Sequence, residues 1–190
     1  MNNIEILALN KPNIDDFAEQ RNKLLKKAES EWVLFVDTDE TISDKLKMEM
    51  ESLDPGDFNG FYIRRKIIFL GQEIGEDKVL RLGKKKTGKW RRRVHEFWDI
   101  EGKVGVLKNY LIHNTAEELT SYIDKINKYS DIHAGENLKE GKRSNILKII
   151  FYPKIKFIIN MIQGRGFTFS MIQSFHSFLG WSKQWELQKR

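Results

Sequence analysis

Cysteine is absent from this 190-residue chain, which excludes structural disulfides and thiolate zinc sites and is compatible with a reducing compartment. Proline is scarce, and its three occurrences punctuate the chain at Lys11-Pro12-Asn13, at Asp54-Pro55-Gly56-Asp57 and inside the apolar stretch 146–162. That stretch is interrupted by Lys148, Pro153, Lys154 and Lys156 and falls short of the ~20 residues of a membrane span, so a transmembrane helix is not expected there. Met1-Asn2-Asn3-Ile4-Glu5 has no basic segment followed by an apolar core, so no secretory signal is expected and a cytoplasmic protein is. Acidic residues are rare only in the C-terminal part. Residues 139–190 hold ten Lys/Arg against two Asp/Glu, a net of +8, which leaves 23 basic and 25 acidic residues for 1–138. The overall charge of +6 therefore belongs to the tail, and such asymmetry points to an anionic partner.

What is present is organised around Trp32-Val33-Leu34-Phe35-Val36-Asp37-Thr38-Asp39-Glu40. The apolar run, rich in β-branched and aromatic types, predicts a strand buried on both faces, with carboxylates at its carboxyl end, where open α/β sheets build their sites. One residue separates Asp37 from Asp39, so a turn can aim both at a hard divalent cation such as Mg²⁺ or Mn²⁺. The same residues also fit a solvated turn capping the following helix.

Before this strand the pattern predicts a strand over 4–9 and a helix from Asp16 to about residue 29, with Asp16 at the N-cap, Glu19 three residues on, and Phe17, Leu24, Leu25 and Ala28 on its apolar face. After it come a helix over 43–53 and strands over 60–70, 78–82, 89–97, 103–107 and 110–113, the first three forming a small β-rich insert. Thr115-Ala116-Glu117-Glu118 reads as a capping box for a helix continuing over 121–134, with Tyr122, Ile126 and Tyr129 as a core stripe. Gly135 and Gly141 then mark a linker. The fold class expected is α/β, with a domain over 1–138 and a basic amphipathic helical tail over 139–190.

Two basic features remain. Lys84-Lys85-Lys86-Thr87-Gly88-Lys89-Trp90-Arg91-Arg92-Arg93 fits a solvated hairpin, a contact to headgroups or a diphosphate, or a nucleic-acid surface; no nucleic-acid module accompanies it, so nucleic acid ranks last. In the tail, 146–162 and 167–187 carry aromatics along one side and Lys/Arg near the ends, as a helical hairpin in a membrane interface does, though helices packed on the sheet or a dimer contact would show similar periodicity. The positive charge favours an anionic membrane surface, and hence a peripheral position on its inner face.

The order Gln20-Arg21-Asn22, apolar helix, Trp32-Val33-Leu34-Phe35-Val36-Asp37-x-Asp39-Glu40, then Gly60-Phe61-Tyr62-Ile63-Arg64-Arg65, Val94-His95-Glu96, and His113 before a helix with Lys125-x-x-x-Tyr129, resembles the family 2 glycosyltransferases of the GT-A fold. The branch that extends lipopolysaccharide core and similar surface glycans is the nearest likeness. The resemblance implies transfer of a sugar from a nucleotide-sugar donor to a glycan or lipid-linked acceptor. It implies Mn²⁺ or Mg²⁺ at Asp37 and Asp39 of the D-x-D motif, with His113 completing the shell, and Arg21, Asn22 and Asp37 on the donor. Glu96 would be the general base and His95 its orienting neighbour, roles that could be exchanged because imidazole titrates nearer to neutrality. It also implies a partial GT-A sheet lacking one strand-helix-strand unit for the nucleobase and ribose, which a separate N-terminal half could supply. The alternative is a non-catalytic membrane- or partner-binding remnant of such an enzyme.

Overall fold

The computed structural model describes residues 3–9, 16–92 and 96–190, so His95 lies outside the described residues. The chain divides into two compact units, one made of the described residues up to Ile68 together with Glu76–Thr115, the other of Phe69–Gly75 and Ala116–Arg190.

In the first unit β1 (Ile4–Leu9) leads through α1 (Phe17–Lys27) to β2 (Trp32–Asp37), and the two strands pair in parallel, with Ile4 beside Trp32 and Leu9 beside Asp37. α1 begins where Asp16 caps it, its carboxylate accepting from the Glu19 N–H at 2.8 Å. Then follow β3 (Glu40–Ile42), α2 (Asp44–Ser52), β4 (Phe58–Phe69), β5 (Gln72–Lys84), β6 (Gly88–Arg91), β7 (Phe97–Ile100) and β8 (Lys103–Ala116). A six-stranded mixed sheet runs in the order β1-β2-β5-β4-β8-β3, and β6 and β7 pair as a separate ribbon.

β2 is buried on both faces, as its unbroken apolar run requires. Trp32, Leu34 and Val36 join Leu46 and Met50 of α2 in one core. Val33 and Phe35 enter a second with Leu25 of α1 and the ribbon tryptophans Trp90 and Trp98, both of which meet the Phe35 ring edge-on. The sheet is thus packed on both sides next to the end of β2.

The structure departs from the sequence reading at several points. Glu40–Ile42 is a strand, paired antiparallel with β8 so that Glu40 lies opposite His113. β4 and β5, expected in an insert, stand in the middle of the main sheet. The strand expected over 89–97 is divided, β6 ending at Arg91 and β7 starting at Phe97. β8 is one strand of 14 residues where two were expected. Leu107 and Leu111 both face one core, and between them the consecutive amides of Lys108 and Asn109 donate to the Glu49 carboxylate, at 2.8 and 2.9 Å. Thr115 belongs to β8 and no capping box forms. Helix α3 (Leu119–Lys139) has Glu118 at its N-cap with no side-chain hydrogen bond. α3 also runs through Gly135, since one glycine costs a helix only about 1 kcal/mol.

The second unit holds the tip of the β4–β5 hairpin, α3, α4 (Ile146–Ile162) and α5 (Phe167–Leu187). At the tip Leu70 and Gly71 both have positive φ, 49° and 77°, the type I′ arrangement of a two-residue hairpin, and Phe69 packs edge-on against Tyr122 and Phe169. Burial in α4 and α5 is inverted relative to a water-soluble helix pair. Asn160, Ser170 and Gln184 are buried, with Asn160 Nδ2 donating to Lys156 O at 2.8 Å and Gln184 Nε2 to Lys142 O at 2.9 Å. The outward stripes are apolar: Leu147, Phe151, Ile155, Ile158 and Ile162 on α4, and Phe167, Met171, Phe175 and Phe178 on α5, each between 43% and 80% exposed. Among the described residues no helix is long and apolar enough to cross a membrane.

Candidate active site

Asp37 ends β2, and its two carboxylate oxygens are taken by two arginines. Oδ1 accepts from Arg21 Nη2 of α1 and Oδ2 from Arg81 Nη2 of β5, each at 2.6 Å. Arg21 is 1% exposed, and its Nε donates to Glu96 Oε1 at 3.2 Å. Trp90 closes the arrangement from the ribbon, with the Arg21 guanidinium 4.7 Å and that of Arg81 5.7 Å from the ring centroid. Burial pushes Arg21 below its ordinary pKa, the like charge of Arg81 adds to that, and Asp37 and Glu96 oppose it. Not every donor is satisfied: Arg21 Nη1 and Arg81 Nε and Nη1 are buried without an acceptor among the described residues.

Glu40 locks the turn that follows. Its side chain is fully buried, its Oε2 accepting from the Asp37 N–H at 3.0 Å and its Oε1 from Arg65 Nη1 at 2.9 Å. Arg65 also makes a two-pronged contact with Asp77 at 2.9 and 2.7 Å. Burial works against its charge, but the bonds and ion pairs with Asp77 and then Glu40 prevail and raise Arg65 above its ordinary pKa. Arg65 is therefore committed to the sheet. Arg64 pairs with Glu76 at 2.8 Å and lies over the Tyr110 ring.

Asp39 turns the other way. Its Oδ2 lies 3.3 Å from His113 Nε2, a contact created by the pairing of β3 with β8 and held by the Asn114 N–H on Asp39 O at 2.8 Å. The structure thus joins Arg21, Asp37 and Glu96 in one cluster and Asp39 and His113 in a pair. Among the described residues no three Asp, Glu or His side chains converge as a metal site. Asn22 faces away from Asp37: it exchanges two hydrogen bonds of 2.9 Å with the backbone of Trp90 and clasps α1 to β6.

The chain is similar to glycosyltransferases. It is 28% identical over 152 residues to the lipopolysaccharide core biosynthesis glycosyltransferase LpsC of Rhizobium meliloti (strain 1021), covering 75% of this chain and 56% of that protein. It is 24% identical over 187 residues to an uncharacterized glycosyltransferase of Rickettsia typhi (strain ATCC VR-144 / Wilmington), covering 83% of this chain and 63% of that protein. The chain therefore spans less than two thirds of the length of either relative. No protein-family model matches it.

Three residues of this cluster escape a sequence reading. Arg81 lies in a strand whose pattern marks it only as a charged position, 44 residues from the Asp37 it binds. Glu40 reads as a third exposed carboxylate, and Arg65 as part of a basic triplet. The one available signal is that each is a charge within an otherwise apolar strand, a position expected to need a partner.

Proposed function

We propose that this chain carries the catalytic part of a metal-dependent family 2 glycosyltransferase of the GT-A fold. It moves a sugar from a nucleotide-sugar to a glycan or lipid-linked acceptor in the synthesis of lipopolysaccharide or another surface polysaccharide. The observation that carries this reading is the meeting of Asp39 with His113 beside the Arg21–Asp37–Glu96 cluster, in a chain similar to glycosyltransferases.

Asp39 and His113 suit Mn²⁺ or Mg²⁺. Asp39 Oδ2 and His113 Nε2 lie 3.3 Å apart, near enough to serve one ion; the carboxylate matches either cation, and the imidazole, a softer ligand, favours Mn²⁺ over Mg²⁺. Asp37, engaged by two arginines, stands behind them and holds Arg21 and Arg81 in place. When bound, the cation offsets the charge that develops on the departing diphosphate. Arg21 is too deeply buried to meet a diphosphate directly, and its part is to hold Asp37 and Glu96 in position. In the transfer the acceptor oxygen bonds to the anomeric carbon, the bond from that carbon to the diphosphate oxygen breaks, and the acceptor proton passes to Glu96. Glu96 is suited to this because Arg21 engages Oε1 and no described residue bonds Oε2.

Calorimetry with Mn²⁺ and a nucleoside diphosphate tests the assignment. The intact chain should bind Mn²⁺ more tightly when the diphosphate is present, and Asp39→Asn and His113→Ala should each abolish binding without loss of structure. Undiminished heats in both variants would remove the pair from the mechanism.

The tail is read as the contact with an anionic membrane surface, peripheral on the inner face. Its inverted burial supports this, because buried polar side chains bonded to backbone carbonyls and apolar stripes turned outward suit a lipid-facing environment, with Lys154 and Lys156 exposed. The protein should sediment with vesicles containing anionic lipid, and high salt should weaken the binding without removing it. Replacing Lys148, Lys154 and Lys156 by glutamine should cost a few kcal/mol, at roughly 1 kcal/mol per basic residue. A chain that ignores the vesicles and sediments as a dimer through this face would replace the membrane by a second copy.

A further inference from the structure

A cavity of about 470 Å³ opens on the first unit between the C-terminal half of α1 and the turn joining β5 to β6. Its volume falls within the ~300–1,000 Å³ of small-molecule sites. The charged side chains lining it are all basic: Lys26, Lys85, Lys86 and Lys89. Lys85 is occupied, its Nζ donating to Ala28 O at 2.7 Å and Glu29 O at 3.2 Å, where it neutralises the carbonyl end of α1 that would otherwise repel an anion. Among the described residues the side chains of Lys26, Lys86 and Lys89 meet no hydrogen-bond or ion-pair partner. Lys26, Lys86 and Lys89 are set apart from the other exposed cations of this unit by lining one concavity.

Like charges gathered round one concavity repel one another unless something anionic enters. The lining also includes Leu25, an apolar side chain, and Asn22, whose amide is spent on the Trp90 backbone. Ammonium groups and an apolar side chain lining one cavity fit an anionic head attached to a carbon body.

We propose that this cavity is a binding site for a small phosphorylated ligand of sugar-phosphate size, separate from the Asp39–His113 pair. Its phosphate is held by Lys26, Lys86 and Lys89, and its carbon body lies on Leu25. The proposal stands whether or not the chain transfers sugars, because it rests on the cavity and its unpaired charges alone.

The test uses the full chain with EDTA present, so that no divalent cation can recruit phosphates to Asp39 and His113. Glucose 6-phosphate is titrated and followed by ³¹P NMR line broadening and calorimetry, with glucose as the neutral control. Binding is expected for glucose 6-phosphate and not for glucose, weakening as salt is raised. In the Lys26→Gln/Lys86→Gln/Lys89→Gln variant it should fall by on the order of tenfold or more, whereas Asp39→Asn should leave it unchanged. These lysines are surface side chains, so the triple variant should fold, which its circular dichroism and melting curve verify. Inorganic phosphate should bind more weakly than glucose 6-phosphate, since it cannot use Leu25. Equal affinity of the wild type and the triple variant would overturn the proposal. So would binding of an oligonucleotide or anionic vesicles through these lysines with none of glucose 6-phosphate.

Discussion

Asp37→Ala is expected to lower the stability of the first unit by about 3 kcal/mol, the lower end of the range for breaking a buried ion pair, because the Asp37 side chain itself is 24% exposed. The loss comes from what stays behind. Arg21 and Arg81 are both buried, each spends its shortest bond on this one carboxylate, and each already has donors without an acceptor. Removing Asp37 places two guanidiniums side by side with only Glu96 and the more distant Glu40 to offset them, the latter 3.8 Å from Arg81. Asp39→Asn is the control, since Asp39 is 32% exposed and its substitution should stay within about 0.5 kcal/mol. Urea unfolding of both variants, compared at unchanged m, measures the difference. A loss below about 1 kcal/mol for Asp37→Ala would mean that the arginines find other acceptors and that Asp37 is free for another role.

Glu96→Gln should lower kcat by roughly 10²-fold or more while leaving donor KM nearly unchanged. The amide oxygen of glutamine can still accept from Arg21 Nε, so the cluster and the fold persist, but the side chain no longer takes up a proton. This contrast separates the variant from Arg21→Ala, which would remove a fully buried anchor and affect stability as well as rate. Turnover is to be measured against a panel of nucleotide-sugars with Mn²⁺ present, and circular dichroism should report the same fold in both proteins. A near-normal rate in Glu96→Gln would dismiss this residue as base and transfer the role to His95.

Features that depend on neighbours in the chain could be read without a structure. The Asp16 cap, the doubly buried β2 and both tail helices were legible because a cap, an unbroken apolar run and a helical stripe are each set within a few residues. The residues of the candidate site were legible as types. A carboxylate pair after a buried strand, an arginine on the preceding helix and a glutamate and histidine downstream are all visible in the sequence as chemical types.

Partnership was not legible. Only the pairing of β3 with β8 puts His113, 74 residues away, within 3.3 Å of Asp39, and only the place of β5 beside β2 delivers Arg81 to Asp37. The division of the carboxylates between arginines and imidazole follows from that pairing and not from their spacing. The same holds for the free lysines: the run 84–93 reads as an exposed turn until α1 supplies Lys26 and Leu25 to make it the rim of a cavity. The chain by itself determined which residues are charged and which strand is buried. Register across the sheet, a long-range choice made by packing Trp32, Leu34 and Val36 on one side and Val33 and Phe35 on the other, decided which charges meet.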